Sequence, residues 1–195
     1  MASPRALPPE FDRGVVTTVH QGECLVSGDA DLTYSTVLGS CISACVRDTA
    51  ANVGGMNHFL LAEPAGSSRD RYNASARYGA FAMEQLINIV LSRGTGKKAN
   101  LEIKVFGGGL INSALTDIGA KNIEFVRDFL ANEGYGRVKE DLGGNFARRV
   151  MFKPHSGRAI VKRLDALAGA SIAREELAVA KRPIRRIEVP DIELF

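Results

Sequence analysis

Apolar positions along this chain repeat with two different periods, and the switches between them outline its elements. Short alternating runs at Val15–His20, at Cys24–Ser27 and around Tyr34–Leu38 predict early strands, the two-residue period of a pleated backbone. From 41 to 47, Ile42, Ala44 and Val46 alternate with Ser43, Cys45 and Arg47, which predicts a strand with one more apolar face. Asp48-Thr49-Ala50-Ala51 predicts a short turn into an extended run over Val53–Leu61, and residues 62–72, with Pro64, Gly66 and two serines, predict a flexible loop. The period then lengthens. Between Asn73 and Arg93 the residues Tyr78, Phe81, Ala82, Leu86, Ile89 and Val90 fall on one helical stripe, with Gly94 as the stop. Leu101, Ile103 and Val105 alternate again and run into Gly107-Gly108-Gly109. Ile123, Val126, Phe129 and Leu130 mark a second helix ending at Gly134, and strands at 148–152 and 158–162 flank a hairpin turn, Lys153-Pro154-His155-Ser156-Gly157. The pattern is mixed α/β.

Composition narrows this. At 195 residues the chain is one ordinary domain with room for a tail. Three of its seven prolines lie in the first nine residues and two more at Pro183 and Pro190, so residues 1–13 read as a flexible arm and 164–195 as a partly helical C-terminal appendage. A net charge of +3, from 25 basic and 22 acidic residues, provides no concentrated positive field for nucleic acid. Lys181-Arg182-Pro183-Ile184-Arg185-Arg186 reads as a solvated segment. No uncharged stretch is long and apolar enough to enter a membrane, and the N-terminus lacks the apolar core of a secretion signal. Three cysteines, Cys24, Cys41 and Cys45, form no disulfide framework, so a reducing, cytoplasmic setting is expected.

The candidate chemistry centres on Cys41, which follows Leu38-Gly39-Ser40 at the start of an apolar strand. Gly39 and Ser40 permit a close approach and leave backbone N–H groups beside the sulfur, where an oxyanion could be held. Seventeen residues on, His58 stands in an otherwise apolar run and needs a polar partner, which a thiol could be. Gly107-Gly108-Gly109 has neither dinucleotide nor P-loop spacing and reads as a close backbone approach beside that site. His20 and His155 read as solvated strand-end and turn residues, and no His/Cys/carboxylate cluster has metal-ligand spacing.

Leu38-Gly39-Ser40-Cys41 and Gly55-Met56-Asn57-His58-Phe59-Leu60-Leu61 resemble the chemoreceptor glutamine deamidase family of bacterial chemotaxis (CheD). The likeness continues through Tyr78-Gly79, Ala82-Met83-Glu84, Lys104-Val105-Phe106-Gly107-Gly108, Ile118-Gly119 with Asn122, and Asp141-Leu142-Gly143-Gly144 with Arg148, covering 14–163 as a deamidase domain. The resemblance implies a layered sandwich of stacked mixed β-sheets with helices packed outside. It implies hydrolysis of glutamine side-chain amides on methyl-accepting chemoreceptors, without a cofactor or metal. The family's nucleophile falls on Cys41, its histidine on His58 and its hydroxyl residue on Ser35, with Thr36 adjacent. Gly39, Ser40, Asn57, Gly107 and Gly108 become the residues expected to hold an oxyanion or position substrate. Receptors are the implied protein substrate and a CheC-type phosphatase a further partner; a chemotaxis binding module with little catalysis is the competing reading.

One geometric expectation follows from counting. If Asp48–Ala51 is a four-residue turn, Arg47 pairs with Asn52, and Cys41 then lies directly across from His58 on one sheet face.

Overall fold

The computed structural model describes residues 8–12, 14–61, 69–111, 116–136 and 138–165, together with 169, 171, 172 and 176. Its architecture turns on β4 (Ile42–Asp48), which has both faces covered. Ile42, Ala44 and Val46 pack with residues of two helices, α1 (Arg69–Arg93) and α2 (Thr116–Asn132), while Cys41 and Cys45 face a second sheet. The order is sheet, sheet, helices.

The five-stranded sheet runs β2 (Cys24–Ser27), β5 (Val53–Asn57), β4, β6 (Leu101–Gly107), β7 (Val138–Leu142). It is antiparallel except for the parallel β6/β7 edge. The four-stranded sheet runs β1 (Val15–Thr18), β3 (Leu32–Leu38), β8 (Arg148–Phe152), β9 (Ala159–Arg163), with β1 and β3 parallel. Tyr34, Leu38, Val150 and Phe152 from this sheet meet Cys45, Met56, Leu60 and Phe106 from the other in one dry layer. Each large apolar side chain buried there contributes on the order of 1.5–3 kcal/mol. The layered sandwich expected from the resemblance is the observed fold.

Several local expectations move. The α1 stripe is rotated: Met83, Leu86, Ile87 and Val90 are buried, while Phe81 is exposed. Gly79 lets the two helices close, since a Cβ there would stand 2.7 Å from the Phe125 ring. β7 had no apolar alternation to announce it, because Lys139, Glu140 and Asp141 occupy a half-exposed edge where charge protects against further pairing. The loop expected over 62–72 gives way at Arg69 to α1, and 62–68 lie outside the described residues, as do 1–7 and the basic run 181–186. Within the expected arm, Phe11 is buried.

The β4/β5 register also differs from the count. Asp48 pairs with Val53, and an isolated bridge joins Ile42 to Phe59. The turn is Thr49–Asn52, one residue later than expected. Asp48 Oδ1 accepts the N–H groups of Ala50 and Ala51, each at 3.0 Å, and Asn52 takes the left-handed conformation at φ 55° that its side chain tolerates. In this register Cys41 lies opposite Leu60, and His58 is its diagonal neighbour. A shift of two keeps the face, so Cys41 and His58 still point into the same inter-sheet layer.

Candidate active site

Gly39-Ser40-Cys41 is the segment in which the chain leaves β3 in one sheet and enters β4 in the other. It has no ladder partner on either side, so its backbone groups are free for other use. The three carbonyls are all engaged. Gly109 N–H donates to Gly39 O at 2.6 Å, Asn122 Nδ2 to Ser40 O at 2.9 Å and Gly108 N–H to Cys41 O at 2.9 Å. Because a trans peptide sets C=O and the following N–H on opposite sides, pinning the Gly39 and Ser40 carbonyls turns the Ser40 and Cys41 N–H groups the other way, where the Gly39 N–H joins them. They converge on a carboxylate. Gly39 N–H donates to Glu176 Oε1 at 2.9 Å, Cys41 N–H points at the same oxygen at 3.4 Å, and Ser40 N–H and Oγ–H each donate to Oε2 at 2.7 Å. Consecutive N–H groups arranged in this way form an anion-binding nest.

The glycines behind the nest are needed for space. Gly107 has φ 116°, and a Cβ on it would stand 1.9 Å from Cys41 O; Gly39 has Ile111 and Glu176 against it. Arg148, fully buried, donates to Gly143 O, Asp141 O and the Asp141 carboxylate, and Gly143 N–H in turn donates to Gly107 O at 2.9 Å. Arg148 therefore braces the turn that holds the glycine loop under Cys41.

His58 is buried, with its imidazole set by a relay. Thr36 Oγ1–H donates to Val19 O at 2.7 Å and lies 2.9 Å from His58 Nδ1. A hydroxyl has one proton, and this one is spent on Val19, so Thr36 accepts from His58 and Nδ1 carries the hydrogen. The lone pair is thereby placed on Nε2, which is buried with no hydrogen-bond partner among the described residues, the Cys41 thiol included. Ser35, one residue earlier on β3, points to the opposite face, toward a cleft of about 500 Å³ lined by Val16, Arg149, Met151 and Ile160. A separate cleft of about 400 Å³ lies beside His58, lined by Thr36, His20 and Glu176 among others. The hydroxyl at the imidazole is that of Thr36, which shares a strand face with the core residues Tyr34 and Leu38.

Asn57 is used up as a joint. Its Oδ1 accepts Ala44 N–H at 2.8 Å where the β4/β5 ladder breaks, its Nδ2 donates to Ala82 O at 2.9 Å, and its carbonyl takes Ser43 Oγ–H at 2.6 Å. That substitution ends β5 at 57, short of the expected Leu61, and frees the next residue, His58, from the β4 ladder. Gly108 likewise spends its N–H on Cys41 O.

Electrostatics describe a resting state. Burial pushes the Cys41 thiol well above its ordinary pKa, and the Glu176 carboxylate beside it pushes the same way. Burial holds His58 below its ordinary value, against an opposing pull from Glu176. With Glu176 in place the pair is thiol and neutral imidazole. Gly39, Ser40 and Cys41 share the nest that holds Glu176, while His58 keeps an Nε2 that makes no hydrogen bond to the Cys41 thiol. Glu176 lies in the region read as an appendage and had no sequence signal; Asn122 was visible only as part of a resemblance.

A family model described as CheD chemotactic sensory transduction matches residues 60–163. The chain is 45% identical over 175 residues to a protein of Hahella chejuensis named probable chemoreceptor glutamine deamidase CheD, covering 89% of this chain and 82% of that one. A Caulobacter vibrioides protein of the same name is 43% identical over 184 residues, 94% and 95% of the two chains. Among solved structures, Neisseria meningitidis protein NMB0706 is a remote likeness at 11% identity and TM-score 0.39, over 70% of this chain and 64% of that chain.

Proposed function

The chain belongs to the CheD family, and from that premise we propose that it is a protein-glutamine deamidase, hydrolysing glutamine side-chain amides on methyl-accepting chemoreceptors through a thioester on Cys41. One observation carries the chemistry: the nest at Gly39–Cys41 holds the γ-carboxylate of a glutamate beside the cysteine, and that group is the product of glutamine hydrolysis. A site that binds the product group in this way can bind the amide oxygen of the substrate and the oxyanion between them.

An amide is a weak electrophile, and ammonia leaves only when its nitrogen is protonated. In the proposed sequence the Cys41 sulfur attacks the glutamine Cδ, its proton passing to the free Nε2 of His58. The carbonyl oxygen becomes an oxyanion facing the Gly39–Cys41 N–H groups. His58 returns the proton to the nitrogen, the C–N bond breaks and ammonia departs, leaving a thioester. Water, deprotonated by the same Nε2, then splits the thioester to carboxylate and thiol. Thr36 keeps the imidazole in the tautomer this needs. Receptor cytoplasmic segments are the substrate in this reading, a CheC-type phosphatase a second partner, and the cytoplasm the setting. No helix among the described residues is long and apolar enough to cross a membrane.

The test is ammonia release from a receptor cytoplasmic fragment, paired with mass spectrometry for a one-dalton gain at glutamine. Wild type should give both and Cys41→Ala neither. Binding of the fragment with no ammonia from wild type would leave a binding module, and equal turnover by Cys41→Ala would remove the thioester.

A further inference from the structure

Glu176 is 5% exposed, and its carboxylate accepts hydrogen bonds from two backbone N–H groups and a hydroxyl of the segment that carries Cys41, with the Cys41 N–H also directed at it. Among the described residues no lysine or arginine side chain pairs with it. Leu164 N–H donates to Ala147 O at 2.8 Å, Gly169 N–H donates to Asp165 O at 3.0 Å, and Gly169, Ser171, Ile172 and Glu176 have helical backbone. Ile172, four residues before Glu176 in the sequence, lines with it the cleft beside His58. A structural carboxylate would be expected to satisfy a turn or meet a cation. This one instead fills the donors that the reaction itself requires.

We infer that Glu176 is a built-in product mimic: the C-terminal segment docks its γ-carboxylate in the Gly39–Cys41 nest as the deamidated side chain would sit, and a receptor helix must displace it to present a glutamine. The inference rests on the deamidase reading and adds to it the regulation of the site. Three consequences follow from the geometry. The nest cannot hold an oxyanion while Glu176 occupies it. Cys41 is fully buried, and the neighbouring negative charge disfavours its thiolate, so nucleophile and donors are switched off together. The occupant also defines the ligand: a γ-carboxyl or γ-amide on a helical segment, with an aliphatic side chain four residues before it.

The device is competitive, so its release changes KM and leaves kcat alone. If the docked state holds nine-tenths of the molecules, apparent affinity for the receptor is lowered about tenfold. In the full chain, Glu176→Ala should lower KM for the receptor fragment about tenfold and speed alkylation of Cys41 by iodoacetamide, followed by intact mass, by a similar factor. Glu176→Gln places an amide where the carboxylate lies and becomes a substrate in cis. Water is consumed, ammonia leaves, and the protein gains one dalton to return to the wild-type mass. The same substitution in a Cys41→Ala background should keep its encoded mass. A receptor-active protein in which Glu176→Ala alters neither KM nor alkylation rate, or in which the amide at 176 persists, would overturn the inference. A wild type that never releases ammonia from the receptor overturns the functional reading instead, and the alkylation rate, which needs no receptor, still reports whether Glu176 covers the thiol.

Discussion

Thr36→Val removes one oxygen from the site and keeps the side chain's shape. In the wild type that oxygen donates to Val19 O at 2.7 Å and accepts from His58 Nδ1 at 2.9 Å. The valine leaves a buried carbonyl and a buried ring N–H without partners, each costing about 1–3 kcal/mol where water cannot reach. The cleft beside His58 admits water from one side, so about 2 kcal/mol in total is expected, a fall of about 4–8 °C in Tm for a chain of this length. The larger effect is on the reaction. Without the acceptor the imidazole is free to carry its hydrogen on Nε2, the atom that takes the Cys41 proton in the proposed sequence, and to turn away. A loss of about 10–100-fold in kcat/KM follows, equivalent to about 1.4–2.7 kcal/mol of barrier. Ammonia release from a receptor fragment, followed as a function of pH, is the assay. The acid limb in wild type should fall below pH ~6.5, because burial lowers the His58 pKa and activity is lost only as pH drops through that lowered value. Thr36→Ser keeps the hydroxyl and should recover most of the rate, whereas Ser35→Ala, on the opposite face of β3, should stay within about twofold, a change of about 0.4 kcal/mol or less. Full activity in Thr36→Val together with a large loss in Ser35→Ala would refute the tautomer argument.

Two more predictions concern the scaffold under the site. Gly107→Ala puts a Cβ on the Cys41 carbonyl at a backbone φ of 116°, so it should cost about 2–4 kcal/mol in stability and most of the activity; a thermal melt and a turnover rate matching wild type would contradict it. Asp48→Asn keeps the acceptor for the turn but faces an NH₂ group toward Thr95 N–H, which should cost about 1–3 kcal/mol in denaturant unfolding at pH 7. Burial alone would raise the Asp48 pKa, but hydrogen bonds from Thr95, Ala51 and Ala50 hold it below the ordinary value. Its stabilisation is therefore present above the unfolded pKa near ~3.9 and lost as pH falls through the lower folded one, so the gap between wild type and variant should close only below pH ~4; a gap unchanged at pH 2 would show that the carboxylate's charge is not the cause.

Local chemistry was legible in the sequence wherever one residue type answers one local need. Alternation placed β4 and β6, and the glycine at 134 ends α2 in a left-handed turn as its position suggested. The cysteine after a Gly-Ser pair and the histidine in an apolar run marked the pair proposed to react, because polar atoms in such surroundings need a partner or a function. The strand period even kept Cys41 and His58 on one face when the register moved by two. What the period could not decide was the register itself, which the Asp48 carboxylate and the left-handed Asn52 set by folding the turn one residue later. Nor could it choose between Ser35 and Thr36: neighbours on a strand face opposite ways, and only the packing of the second sheet says which way is inward. Glu176 lies 135 residues from Cys41, beyond any local period, and its meaning depends on three N–H groups that converge only where the chain crosses between sheets. A sequence determines which groups are available and which local shapes they tolerate. The tertiary structure decides which of them meet, because donors left over at a crossing take whatever acceptor the rest of the chain can bring.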